Sequence, residues 1–257
     1  MPDILGTVRR ALFTCLFLSG SLLACGFAQA EDSYVLALSW QPGFCAARPE
    51  AAECNPAPKD QPRLTLHGLW PQWDVNGDGK RDDDDDFCVL GDFNRKVIMG
   101  LDAGNWLELP PVVLSGAGSK DLERAMPGSR DGLDRHEWWK HGSCTGLKPE
   151  DYFGNAIALL RAVEQGSLAR LLIDSAGGAI ERKQLLDAFE ADFGRGSARA
   201  LMLDCRKEDG VTALQEIRIR LKRSRIAQAL TPKSLAIPAK PARGDCAADV
   251  FVPAWPG

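Results

Sequence analysis

The chain has 257 residues, of which 45% are hydrophobic and 26% charged, with 31 basic against 35 acidic side chains and a formal charge of -4. This is the profile of an ordinary globular protein and excludes a disordered or low-complexity chain; one sizeable core can be built from it. The counts that stand out are eight cysteines and only three histidines.

In chain order, Arg9 and Arg10 precede an apolar run over residues 11–27, and Ala28 to Ala30 place small residues before Glu31 and Asp32. The pattern predicts a secretory signal peptide over residues 1–30, cleaved near Ala30. An uncleaved anchor is one alternative, although the run is short for a bilayer span. The "LLAC" stretch ending at Cys25 offers lipidation there as another. Without residues 1–30 the chain keeps 34 acidic and 29 basic residues and six cysteines: Cys45, Cys54, Cys88, Cys144, Cys205 and Cys246. An even count in an exported chain predicts a disulfide framework of open connectivity, and with it a periplasmic or secreted location.

"YVLALSW" (Tyr34–Trp40) predicts a core strand, followed by a Pro-, Ala- and Cys-rich loop to Pro62. "LTLHGLW" (Leu64–Trp70) predicts a second strand carrying His67, and residues 71–86 a polar loop. Residues 91–130, broken by Gly and Pro, predict one or two short helices. "LDRHEWWKHG" predicts a helix with Asp134 as N-cap, Glu137 three residues on, and Gly142 as its stop. Helical spacing also runs through "PEDYFGNAIALLRAVEQ" and "ERKQLLDAFEADF", with Leu185, Leu186, Phe189 and Phe193 as a core stripe. "ALMLDCRK" and "TALQEIRIRLK" predict an antiparallel hairpin. The fold class is α+β: one disulfide-stabilised domain over residues 31–257, with a central antiparallel sheet flanked by several helices.

The histidines are His67, His136 and His141, and no histidine is spent elsewhere. Two lie in "HEWWKHGSC", which begins like a zinc peptidase helix but places its second histidine one position late. On a regular helix, positions i and i+5 diverge by about 140° at roughly 100° per residue, which argues against a shared zinc ion and a peptidase. The same spacing aligns His136 with Lys140, and Glu137 with His141. A cationic stripe beside a carboxylate–histidine pair suits an anion and proton transfer. Phosphoryl transfer on RNA fits this set, because RNA supplies its own 2′-OH nucleophile and the protein adds a base, an acid and charge stabilisation.

"LTLHGLWPQW" and "HEWWKHGSC" resemble the two active-site segments of the ribonuclease T2 family, and "ALSWQPGFC", "LQEIRIRL" and "CAADVFVPAW" resemble further family segments across residues 34–255. The resemblance implies an endoribonuclease acting on single-stranded RNA through a 2′,3′-cyclic phosphate, without a metal or other cofactor. It implies His141 as general base, His67 as general acid, Glu137 and Lys140 stabilising the phosphorane, His136 contacting phosphate, and Trp70 stacking against a base. It implies the disulfides Cys45–Cys54, Cys88–Cys144 and Cys205–Cys246, the second pinning the end of the catalytic helix. Ser143 stands where threonine is usual, Leu133 and Asp134 where many relatives carry an aromatic pair, and Arg220 where many carry a cysteine. A non-catalytic RNA- or protein-binding member of the same fold is the rival reading; such a member would be expected to lose His67 or His141. A monomer with no membrane partner after signal cleavage is expected.

Two features lie outside the resemblance. "DVNGDGKRDDDD" (Asp74–Asp85) has calcium-loop spacing at Asp74, Asn76, Asp78 and Gly79, with Asp85 where glutamate is usual; a structural Ca2+ there is the alternative to a solvated acidic turn. Arg218, Arg220 and Lys222 share one strand face by period two, either as a solvated surface or as an RNA contact.

Overall fold

The computed structural model describes residues 32–55, 62–73, 86–88, 93–208, 210–241 and 244–255. The expected signal peptide and the Asp74–Asp85 calcium loop lie outside the described residues. Within them, one six-stranded sheet is built from β1 (Ser33–Trp40), β2 (Leu64–Gln72), β3 (Gly178–Glu181), β4 (Leu201–Glu208), β5 (Val211–Lys222) and β6 (Asp249–Val252), in the order β2-β1-β5-β6-β3 with β4 also on β5. Pairing is antiparallel except for a short parallel contact, Ala213 opposite Phe251, between β5 and β6.

β1 is central and buried along nearly its whole length, so its sequence is a continuous apolar run rather than an alternation. Tyr34, Leu36, Leu38 and Trp40 face the main core, joined by Ile217, Ile219 and Leu221 of β5. Helices α1 (Gln41–Ala47), α2 (Arg95–Gly104), α3 (Gly116–Ala125), α4 (Leu133–Lys140), α5 (Pro149–Glu164), α6 (Ser167–Asp174) and α7 (Arg182–Phe193) complete the domain. α5 buries Tyr152, Phe153, Ala156, Ile157, Leu159, Leu160 and Val163, and the Tyr152 hydroxyl donates to the Leu69 carbonyl of β2 at 2.9 Å. In α7 the expected stripe holds, with Leu185 and Phe189 fully buried and Leu186 and Phe193 packed at its margin.

Three local expectations change. The stretch after β1 is not all loop: Pro42 sits in the first turn of α1, where a missing N–H costs nothing, and the Cys45–Cys54 bridge ties this seven-residue helix to the turn at Cys54. Asp134 is not the N-cap of α4. That position is Gly132, with φ +85°, and Asp134 lies inside the first turn, where burial raises its carboxyl pKa. α6 and the short strands β3 and β6 carry too few residues to announce themselves by periodicity. Among the described residues no helix is long and apolar enough to cross a membrane.

All three expected disulfides are formed, with sequence separations of 9, 56 and 41 residues in chain order. Loop-closure entropy grows with the logarithm of separation. Replacing Cys88 and Cys144 by alanine is therefore expected to cost about 1.6 kcal/mol more than replacing Cys45 and Cys54, as read from urea unfolding of the two double variants.

Candidate active site

β2 breaks simple alternation at its histidine. Leu64 and Leu66 face the core, but the next core residue is Leu69, three positions on instead of two. The pairing with β1 absorbs the extra residue: Leu66 lies opposite Leu38 and Gly68 opposite Ala37, which leaves His67 in a bulge. A bulge re-aims the side chain it carries. His67 thereby turns to the face away from the main core, with 34% of its side chain exposed.

β5 supplies the partners of His67 on that face. Glu216, only 7% exposed, holds His67 Nδ1 through Oε2, while its Oε1 accepts a 2.5 Å bond from Arg218 Nε. Arg218 Nε also lies 2.9 Å from Asp204 Oδ2 of β4, and its guanidinium carbon sits 5.1 Å from the ring centre of Trp70. Burial pulls the His67 pKa down, but the bond to Glu216 and the negative charges of Glu137 and Glu216 outweigh burial and the opposing Arg218, so the net shift is upward. For Glu216 burial pushes upward, and the bonds and charges of His67 and Arg218 outweigh it, holding the carboxyl below its ordinary value.

The catalytic helix meets β2 through a carboxylate. Glu137 is 1% exposed; its Oε2 accepts from Trp70 Nε1 at 2.8 Å, and its Oε1 lies 3.8 Å from His67 Nε2. Gly68 makes this docking possible, because a Cβ there would overlap both the Glu137 carboxylate and Trp70 Nε1. One turn away, His136 has its Nδ1 2.6 Å from Asp102 Oδ1 of α2, and its ring stacks on Trp106 with centroids 4.4 Å apart.

His141 follows the last residue of α4 with φ -116°, off the helical value, and is 8% exposed. Its Nδ1 lies 3.3 Å from Asp86 Oδ1. Asp86 is brought there from far back in the chain by two ties on the end of α4: the Phe87 N–H donates to the Lys140 carbonyl at 2.8 Å, and Cys88 is bridged to Cys144. Phe87 takes φ +56°, a left-handed backbone costly for a bulky side chain, at this point of attachment. Ser143, in the usual threonine position, donates its hydroxyl to the Trp139 carbonyl at 2.9 Å. Here the hydroxyl closes the helix end.

Helical spacing therefore misassigns two pairings. The carboxylate beside His141 Nδ1 is Asp86, and Glu137 instead bonds Trp70 and faces His67. His136 has Asp102 and Trp106 as neighbours in place of Lys140, which ends the helix half-buried with its carbonyl bonded to Phe87. The divergence argument against a shared ion also fails, since donor atoms of His136, Glu137 and His141 lie within 4.8 Å of one another. His141 has left the helical backbone, so 100° per residue no longer governs where its ring points. Trp70 gathers the site: His67 lies edge-on at 5.2 Å and His141 tilted at 5.8 Å from its ring centre.

Beside the site, a cleft of about 680 Å³ opens from His67 and Glu216 along α1, walled by Phe44, Trp106 and Leu133. Leu133, standing where relatives carry an aromatic residue, thus shapes this cleft. The sequence reading missed Asp86, Asp102, Trp106, Glu216 and Arg218 as site residues. Only Glu216 carried a usable signal, its place in "LQEIRIRL"; Asp86 was hidden in an acidic run, and Asp102 and Trp106 reach the site solely through tertiary packing.

The profile of the Ribonuclease T2 family matches residues 31–231. The chain belongs to the ribonuclease T2 family. It is 31% identical over 227 residues to Ribonuclease I of Escherichia coli (strain K12), covering 84% of this chain and 83% of that protein. It is 26% identical over 220 residues to Ribonuclease S-2 of Pyrus pyrifolia, covering 80% and 84% respectively. Among solved structures, ribonuclease MC1 from the seeds of bitter gourd aligns with a TM-score of 0.55 at 18% identity, over 86% of this chain and 99% of that one. RNase NT, solved in complex with 5′-AMP, aligns at 0.53 and 20% identity, over 88% and 99%. The α+β domain is the T2 fold, and this T2 ribonuclease is an RNA-cleaving enzyme.

Two outcomes follow from the geometry. His67 is raised above its ordinary 6.5, so its contribution to stability is full below that value and is lost as pH rises through the folded pKa. Glu216 is depressed below its ordinary 4.5, so its contribution is full above 4.5 and is lost as pH falls through the folded pKa. Glu216→Gln should therefore destabilise the protein most between 4.5 and 6.5 and progressively less at alkaline pH, in urea titrations across that range. Gly68→Ala should lower kcat about 100-fold, as expected for displacing Glu137 by roughly 1 Å; kcat within two-fold of the parent would contradict the tight docking.

Proposed function

We propose that this T2 ribonuclease cleaves single-stranded RNA internally, by metal-free transphosphorylation through a 2′,3′-cyclic phosphate. The observation that carries the reading is the pair of imidazoles around Trp70, each with its Nδ1 beside its own carboxylate: Glu216 for His67 and Asp86 for His141. With Nδ1 so occupied, each ring presents Nε2 to substrate. His67, held toward its protonated form, is the general acid, and His141 is the general base.

In the first step His141 Nε2 takes the proton of the 2′-OH, and the 2′-oxygen attacks phosphorus. His67 Nε2 gives its proton to the departing 5′-oxygen as the P–O5′ bond breaks, leaving a cyclic phosphate and a 5′-OH end. Reversed proton movements with water in place of the 5′-OH open the cycle to a 3′-phosphate. Glu137 and Lys140 stabilise the phosphorane, His136 contacts the phosphate from its fixed place on Trp106, and Trp70 offers an apolar surface to a base. Export supports the setting: three disulfides suit a periplasmic or secreted monomer, released by cleavage of the signal peptide near Ala30.

A defined single-stranded RNA incubated in EDTA should yield cyclic phosphate ends with a bell-shaped pH dependence. His67→Ala and His141→Ala should each lose about 10²- to 10⁴-fold in kcat. RNA bound but left intact by the parent protein would favour a binding module in its place.

A further inference from the structure

Arg218 is not one of the two active-site motifs' residues, yet it touches both halves of the site. Its position follows from sheet register: Gly68 on β2, Ala37 on β1 and Arg218 on β5 lie side by side across three strands. Gly68 and Ala37 add almost nothing above the sheet on that row, and the long side chain of Arg218 crosses them toward β2. At its far end the guanidinium lies over Trp70, whose N–H holds Glu137. At its near end Nε meets Glu216, which holds His67, and Asp204 fixes it from β4.

We propose that Arg218 is a positioning residue that locks the acid-holding carboxylate Glu216 and the Glu137-holding indole Trp70 into one unit. A planar guanidinium suits this task, since it can bond a carboxylate in its plane and lie over an aromatic ring with its face. Lysine has the charge without the fork or the face. The proposal rests on the acid role given to His67 above. The charged groups facing His67 are Glu216 and Arg218 from β5 and Glu137 from α4, with Asp204 of β4 behind Arg218. Among them Arg218 alone is cationic, and it acts to lower the His67 pKa.

The test is steady-state kinetics on a short defined RNA across pH for the parent, Arg218→Gln, Arg218→Lys and Asp204→Asn. Near-UV circular dichroism reports whether each is folded. Arg218→Gln is expected to lose about ten-fold or more in kcat with little change in KM. The high-pH limb of its kcat/KM profile, set by loss of the His67 proton, should move to higher pH because the opposing cation is gone. Arg218→Lys should keep the limb in place and still lose kcat. Asp204→Asn, which removes a negative charge while leaving Arg218, should move the limb the other way and keeps the proposal testable should Arg218→Gln fail to fold. A high-pH limb unmoved in folded Arg218→Gln would overturn the proposal. So would a rise in KM at constant kcat, which would make Arg218 an RNA-phosphate contact. Absence of cleavage by the parent protein would instead overturn the acid role of His67 itself.

Discussion

The site depends on a carboxylate withdrawn almost wholly from water. Glu137 sits between β2 and α4, and a buried carboxylate is costly unless its neighbours hold it. Trp70 donates to one oxygen and His67 faces the other, so the helix and the strand can approach in one arrangement only. Gly68 is the steric condition for that approach and the bulge at His67 is the directional one. Removing the bulge would return the imidazole to the core row, because a one-residue shift exchanges the two faces of a strand.

Each imidazole is held from behind by an acid that comes from a different part of the chain. Glu216 reaches His67 from β5, Asp102 reaches His136 from α2, and Asp86 reaches His141 from a segment stitched to the end of α4. The Cys88–Cys144 bridge therefore has a local purpose beyond loop closure, because it delivers a carboxylate to a histidine three residues before the cysteine. Such outer partners set which ring nitrogen faces substrate and how readily it holds a proton. Arg218 and Asp204 extend the same logic one layer further on the His67 side.

Much of the scaffold was readable from residue order. The apolar run of β1, the hairpin β4–β5 and the stripe of α7 follow from period and composition, and all three depend on side chains near one another in sequence. The two motifs likewise named His67, Trp70, His136, Glu137, Lys140 and His141. The failures share a cause as well. Pairing His141 with Glu137 and His136 with Lys140 assumed a helix that continues to residue 141, whereas α4 stops at Lys140. Period alone cannot place a residue that has just left the helix.

The sequence by itself determined the fold class, the family, the three cysteine pairs and the side chains available for acid–base chemistry, because these are written in local pattern and in motifs short enough to be read as units. Only the tertiary structure decided which carboxylate serves which histidine, that His67 leaves the core through a bulge, and that Arg218 spans the site. Those are relations between residues far apart in the chain: His67 and Glu216 are separated by 149 positions, and strand register and a disulfide alone bring such groups together.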